Sequence, residues 1–310
     1  MILEQLKALA DPTRLTLLAV LFDYELTVNE LVSVLGMGQS RVSRHLKILL
    51  DASLIRNRRD GLFIYYYYHE SPESEICMML QERIRPYLTG SLRKRCTDVL
   101  TERRERTKRF FNSIADKWTE LKRDIIGSLD LYGSILSMLR SYDIRAIADL
   151  GCGNGDFCER LAGAYTTVIG VDNSPEMIRL ACSRFDEQTA PDFRIGAIEH
   201  LPMRDNEVDC AVLILVLHHL SDPGEGLSEI RRTIRDGGYF VLVDFDRHDN
   251  RELHERYGDL WPGFTRNDLS KQLSACGFSV LDYSGYPVSH DLNIHLYLAK
   301  KHNVIQKETV

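Results

Sequence analysis

No stretch of this chain stays apolar for the roughly 20 consecutive residues that a bilayer-spanning helix requires. The N-terminus has no basic region leading into a continuous apolar segment, and the seven cysteines show neither C-x-C nor C-x-x-C spacing. A secretory leader and a disulfide framework are therefore not expected, and a soluble cytoplasmic protein is the starting expectation. A net positive charge is also missing: 39 Lys and Arg against 45 Asp and Glu give −6, which argues against indiscriminate nucleic-acid binding. The deficit is uneven. Residues 1–100 hold 13 Lys and Arg against 12 Asp and Glu, or +1, which leaves −7 for the remainder. Internal repeats, low-complexity tracts and Pro/Gly/Ser-rich linkers are missing too, so the 310 residues read as ordinary globular structure, two domains by length.

Two patterns divide the chain. Residues 1–70 alternate short helical patterns with tight turns and end in a strand-turn-strand signal. Over 145–300, β-rich apolar runs (Ile144 to Leu150, Thr167 to Val171, Val208 to Leu215, Tyr239 to Val243) alternate with amphipathic segments, which predicts a parallel sheet with crossover helices. Ser174-Pro175-Glu176 and Ser71-Pro72-Glu73 each supply a cap, a first-turn proline and an acid in sequence. Phe278 to Tyr283 and Leu292 to Ala299 predict a closing antiparallel hairpin. The charged stretch 91–123 reads as a semi-rigid helical linker.

The densest chemical signal is Ala148-Asp149-Leu150-Gly151-Cys152-Gly153-Asn154-Gly155, which closes one apolar run, with Asp172 at the end of the next. Alternating glycines let the backbone turn sharply from strand to helix and approach a ligand closely. An acid about 20 positions later can accept both ribose hydroxyl protons. The spacing departs from the dinucleotide fingerprint, because the third glycine comes one residue early and Asp156 takes its place. Asp149 and Asp156 would repel a pyrophosphate but suit a ligand carrying an ammonium and a sulfonium, namely S-adenosylmethionine. The motif resembles the class I methyltransferase signature: a leading acid (Asp149), three glycines (Gly151, Gly153, Gly155), and the ribose acid followed by Asn173.

That resemblance implies further contacts. Gly196-Ala197-Ile198 is similar to the family's third ligand-binding strand end, but Ala197 stands where an Asp often accepts from the adenine amino group. Adenine recognition then falls to the Ile198 backbone, apolar sandwiching, and Glu199 or water. Leu215 to Leu220 ends the fourth strand facing the cofactor, and Arg235-Asp236-Gly237-Gly238-Tyr239 resembles the turn into the fifth. His218, His219, Asp244, Asp246 and His248 lie at or past strand ends where ligands bind, and any could serve as a base. No catalytic residue is singled out, because the sulfonium is already activated and transfer can proceed by positioning alone. The isolated Cys152, Cys158, Cys182 and Cys210 do not form the acceptor set of arsenic-methylating relatives. The segment Tyr257 to Phe264 could close over the pocket; core packing is its plain alternative.

Near the start, Thr27 to Gly36 followed by Gln39 to Leu50 has the anatomy of a helix-turn-helix. Val42, Leu46 and Leu49 form one face of the second helix. Gln39, Ser40, Arg41, Ser43, Arg44, His45 and Lys47 make the candidate reading surface, with donors for base edges and phosphates. Leu54 to Tyr65 brackets an Asp-Gly turn with Arg58 and Arg59 on its first arm, a basic wing able to follow a DNA backbone. With Leu9 to Leu15 and Arg41 to Leu49, residues 1–70 resemble the ArsR/SmtB winged-helix repressors. The resemblance implies double-stranded operator DNA as partner and a homodimer built from the first helix and the helix after the wing. Of Tyr65 to Tyr68, two are expected in the core and two near the surface. Leu26 to Glu30 lacks the cysteines of the metal-sensing branch, so no metal site is assigned, and Cys77 and Cys96 read as ordinary buried thiols.

The resulting expectation is an α/β chain: an ArsR-type winged helix-turn-helix over 1–90, a helical linker over 91–123, and a doubly wound, Rossmann-like methyltransferase domain with an antiparallel edge hairpin over 124–310. Two functions fit. One is a transcriptional regulator binding S-adenosylmethionine or S-adenosylhomocysteine, a sensor of methyl-group metabolism. The other is an active small-molecule methyltransferase with an autoregulatory DNA-binding domain.

Overall fold

The computed structural model describes residues 2–60, 63–69, 75–186, 189–248 and 261–302. They divide into two compact units, Met1–Arg103 and Arg104–Val310. The division falls inside a single helix, Gly90–Ile114, within the stretch read from sequence as a linker.

In the first unit, helices Ile2–Leu9 and Pro12–Asp23 precede a short strand β1 (Leu26–Thr27). Asp11 caps the second helix by accepting from the Arg14 N–H, with Pro12 in its first turn. The helix-turn-helix follows as Val28–Leu35 and Gln39–Asp51. Thr27 and Glu30 close a capping box on the first of these, and Gly36 ends it in the left-handed region at φ 65°. Leu31, Val34, Val42, Leu46 and Leu49 are all buried without exposure, so the 3.6-residue apolar period sets the packing. The wing arms are β2 (Arg56–Asp60) and β3 (Phe63–Tyr67), antiparallel, with β1 on the far edge of β3. The Gly61-Leu62 turn between the arms and the helix start at Ser71-Pro72-Glu73 lie outside the described residues. Tyr65 and Tyr66 are buried and Tyr67 and Tyr68 half-buried. Burial pushes the Cys77 thiol up to about 12 and Cys96 up to about 11, so both stay protonated near neutrality.

The second unit is built on seven strands: β4 (Ala146–Leu150), β5 (Thr167–Asp172), β6 (Asp192–Ile195), β7 (Val208–Ile214), β8 (Ile234–Phe245), β9 (Phe278–Pro287) and β10 (Asn293–Lys301). Their spatial order is β6-β5-β4-β7-β8-β10-β9. The first five run parallel, and β10 and β9 add the antiparallel edge. Neighbouring residues of β4 face opposite layers: Ile147 packs with Val212, Val241 and Leu296, and Ala148 with Leu213, Leu242 and Ile230. Strand order reverses beside β4, which makes the C-terminal ends of β4 and β7 the crevice where a doubly wound sheet takes its ligand. The turn read at Arg235 to Gly238 is a bulge inside β8: the ladder steps from Val208–Ile234 to Cys210–Tyr239, with Gly237 at φ 76° absorbing the kink. Among the described residues no helix is long and apolar enough to cross a membrane.

Candidate functional site

The loop after β4 is fixed from behind. Gly151 and Cys152 both donate backbone N–H bonds to the Val171 carbonyl, at 2.7 and 3.0 Å. Gly151 has φ 72°, and a Cβ there would stand 2.4 Å from Val216, so only glycine fits. Asp172, at the end of β5, accepts from the Gly153 N–H at 2.9 Å with one oxygen and from the Ser174 N–H at 2.9 Å with the other. Burial raises its carboxyl above the ordinary value, against the pull of those backbone donors.

These elements border an open cavity of about 600 Å³. Of the ligand residues expected from sequence, Gly151, Gly153, Asp172, Asn173, Ile198 and Leu215 line it. Leu215 does so at φ 55°, a left-handed conformation that costs a branched residue on the order of 1–3 kcal/mol and is held by its N–H bond to Val243. Asp149, Gly155 and Ala197 do not reach the wall. Gly155 instead caps helix Asp156–Ala162 against Ala181, and Ala197 forms an isolated bridge with His200. Glu199 does line the cavity, but its Oε1 already accepts from Arg104 at 3.2 Å and Ser221 at 2.9 Å.

Wall residues not assigned from sequence include Thr107, Phe111, Trp118 and Met177. Phe111 sits edge-on to both Trp118 and His219, with ring centroids 5.5 and 4.8 Å apart. Of the five candidate bases, His219 is the one at the cavity. His218 lies behind it, its Nδ1 2.8 Å from Asp244, whose carboxylate also accepts from the Phe245 N–H. Asp246 pairs with His295 at 3.2 Å, and His248 donates its N–H to the Pro262 carbonyl. Tyr257 to Leu260 lie outside the described residues; Trp261 and Phe264 stack at 5.8 Å and belong to the core packing.

In the first unit, Gln39, Ser40, Arg41, Ser43, Arg44 and Lys47 form an exposed row along the second helix of the turn motif. Two residues expected at the DNA surface, one on this helix and one on the wing, are not on it. His45 turns inward, its side chain 12% exposed and 3.9 Å from Asp11, because i+3 and i+4 spacing from Val42 and Leu49 places it at the edge of the buried face. Arg58 is likewise withdrawn from the wing surface: it pairs with Glu25, and its guanidinium lies 4.4 Å from the centre of the Tyr65 ring. The Arg59 side chain lies outside the described residues.

Residues 11–57 match the bacterial regulatory protein, arsR family, and residues 148–242 match the methyltransferase domain family. The chain joins an arsR-family helix-turn-helix to a methyltransferase domain. Among its relatives are an uncharacterized transposon protein of Streptomyces fradiae, 39% identical over 115 residues (35% of this chain, 33% of that protein). An uncharacterized methyltransferase of Mycobacterium bovis is 35% identical over 118 residues (37% and 47%). The matches thus span half or less of those relatives. The fold is similar to that of the putative methyltransferase solved in complex with the Haloferax volcanii Trm112 methyltransferase activator, with TM-score 0.51 at 18% identity, over 62% of this chain and 98% of that one.

Beneath the glycine loop of the methyltransferase domain lies a charge cluster that sequence reading missed. Asp149 is buried and accepts from the Cys158 thiol at 3.3 Å. Lys122, from helix Trp118–Ile126, bonds the Tyr132 hydroxyl, and burial pulls its ammonium below the ordinary lysine value while Asp156 and Asp149 oppose that shift. Burial pushes the Asp149 carboxyl from 3.8 up to about 6. Between those values the folded chain keeps a proton that the unfolded chain has released, so stability falls as pH rises through that window and the penalty persists above it. Asp149→Asn is therefore expected to exceed the parent in stability at about pH 8 by up to about 3 kcal/mol, with the advantage vanishing toward about pH 4. Urea midpoints measured across that range check this. A pH-independent difference would contradict it.

Proposed function

We propose that this protein is a transcriptional regulator that binds double-stranded operator DNA as a homodimer and whose methyltransferase domain takes S-adenosylmethionine or S-adenosylhomocysteine, reporting on methyl-group metabolism. The observation that carries the cofactor assignment is the Asp172 carboxylate, held at the cavity wall beside Gly151 and Gly153 at the switch point of the sheet. The residues fit an adenosyl ligand. Asp172 would accept from the ribose hydroxyls, Asn173 would lie beside them, and Ile198, Met177 and Leu215 would supply apolar cover for the base. The backbone of Ile198 replaces the acid absent at Ala197, since Glu199 is engaged by Arg104 and Ser221. The DNA assignment rests on the exposed row from Gln39 to Lys47, with Arg41 and Arg44 as bidentate donors to base edges.

His219 favours a second reading, an active small-molecule methyltransferase that regulates its own expression. Its imidazole is at the cavity wall, where an acceptor's proton would leave. The adenosyl sulfonium, when bound, supplies the activated methyl group. The chain's own part would be to exclude water with Phe111 and Trp118 and to take that proton at His219.

The experiment that tests the proposal is calorimetric titration of the full chain with S-adenosylmethionine and S-adenosylhomocysteine, followed by operator titration without ligand and with each at saturation. Tighter binding of the demethylated form and a shift in operator affinity of about five- to 150-fold are expected of the regulator. Failure of both nucleosides to bind overturns the cofactor assignment. Binding with three identical operator curves makes the enzyme reading the stronger one.

A further inference from the structure

Two adjacent residues of helix Gly90–Ile114 hold different machinery. Arg104 donates from Nε to Glu199 and Ser221 and from Nη2 to Glu225 at 2.7 Å. Glu199 is part of the cavity wall, and the same helix sends Thr107 and Phe111 into that wall within the next two turns. Arg103, about 100° around the helix, grips Glu30 instead: Nη2 reaches both carboxylate oxygens at 2.7 and 2.8 Å, and Nε reaches one at 3.1 Å.

Glu30 is not an ordinary ion-pair partner. Its carboxylate accepts from the Thr27 N–H at 2.8 Å and the Thr27 hydroxyl at 2.9 Å, forming the capping box that starts the first helix of the turn motif. Arg103 also donates to the Glu25 carbonyl at 3.4 Å, and its guanidinium lies 5.3 Å from the centre of the Tyr65 ring, the ring that also carries Arg58. Arg103 is 5% exposed, so this charge is desolvated and depends on those partners. Each set of contacts is internal to its own unit. What they share is the backbone of one helix.

We propose that Arg103 and Arg104 form a relay in which occupation of the cavity, felt through Glu199, Thr107 and Phe111, alters the grip of Arg103 on the Glu30 capping box and so the N-terminus of the first helix of the DNA-reading motif. The relay rests on the adenosyl-ligand reading above and supplies its regulatory step. Cap and ion pair meet at one carboxylate oxygen, Oε2, which accepts from Thr27 and from Arg103 Nη2, so a small change in the Arg103 guanidinium redistributes bonds at Thr27 without unfolding the helix.

The test uses the full chain and needs no operator. Amide hydrogen exchange is measured with and without saturating S-adenosylhomocysteine, whose affinity is set by calorimetry. In the parent, exchange of peptides covering residues 27–35 should change by about fivefold or more on ligand binding. In Arg103→Gln, which lines no part of the cavity, the ligand should bind with parent affinity while that distant change is lost. Arg103→Lys, which keeps the charge but not the fork, should give an intermediate response and serves if the glutamine variant fails to fold. Ligand binding without any change over 27–35 in the parent, or an undiminished change in both variants, overturns the relay. Absence of ligand binding in the parent overturns the adenosyl reading beneath it, and the relay falls with it.

Discussion

Asp172→Ala should weaken S-adenosylhomocysteine binding at least tenfold while leaving the protein folded. In the proposed binding mode this carboxylate, at the cavity wall, accepts from the ribose hydroxyls, and a hydrogen bond to a charged group contributes about 1.5–3 kcal/mol. It also accepts from the Gly153 and Ser174 N–H groups, so the alanine variant loses the ribose acceptor and releases the loop together. Asp172→Asn keeps one carbonyl acceptor and should fall between parent and alanine. Isothermal calorimetry, with circular dichroism as a fold control, reads both. Parent-like affinity in a folded alanine variant would remove the central claim about the pocket.

The largest expected effect is on DNA. Arg41 and Arg44 are exposed on the second helix of the turn motif, where bidentate contacts to guanine contribute about 1–3 kcal/mol each. Replacing both with alanine should flatten the preference for operator over random duplex, lowering operator affinity by about 10²–10⁴. Binding by the parent should itself fall by about 10³–10⁵ between about 50 and 200 mM salt if a dimer neutralises about 6–10 phosphates. Arg58 is not expected to contribute to that slope, because Glu25 already neutralises it; Arg58→Ala should act through the wing's packing against Tyr65 instead. Fluorescence anisotropy across a salt series separates these. A salt-independent parent, or an unchanged operator preference in the double variant, would overturn the assignment of the reading helix.

The sheet was legible because β4, β5, β7 and β8 are apolar on both faces and are followed by capped helices, so period and punctuation agree. The glycine loop and Asp172 were legible for the same reason: each belongs to a turn whose backbone admits few residues. What escaped was decided by distant partners. His45 reads as a donor on a polar face until Asp11, the cap of another helix, draws it in. Arg58 looks like a wing cation until Glu25 and the Tyr65 ring claim it. Asp149 was read as facing ligand, but its partners are the Cys158 thiol and the buried charge of Lys122, one lysine in a charged stretch with no local mark of burial. Thr107 and Phe111 lay in what was read as a linker, where nothing in a helical period tells a cavity wall from a solvated face.

The bond that Gly153 of the glycine loop donates to Asp172 also bears on timing. Glycines lose more conformational freedom on ordering than any other residue, and here three of them are spaced along one short turn. Because the carboxylate holds that turn through Gly153 in the protein alone, the ordering is completed during folding rather than on encounter. An incoming nucleoside meets a turn already set, so its association should be a single fast phase, and differences in affinity among related ligands should reside in how quickly they leave.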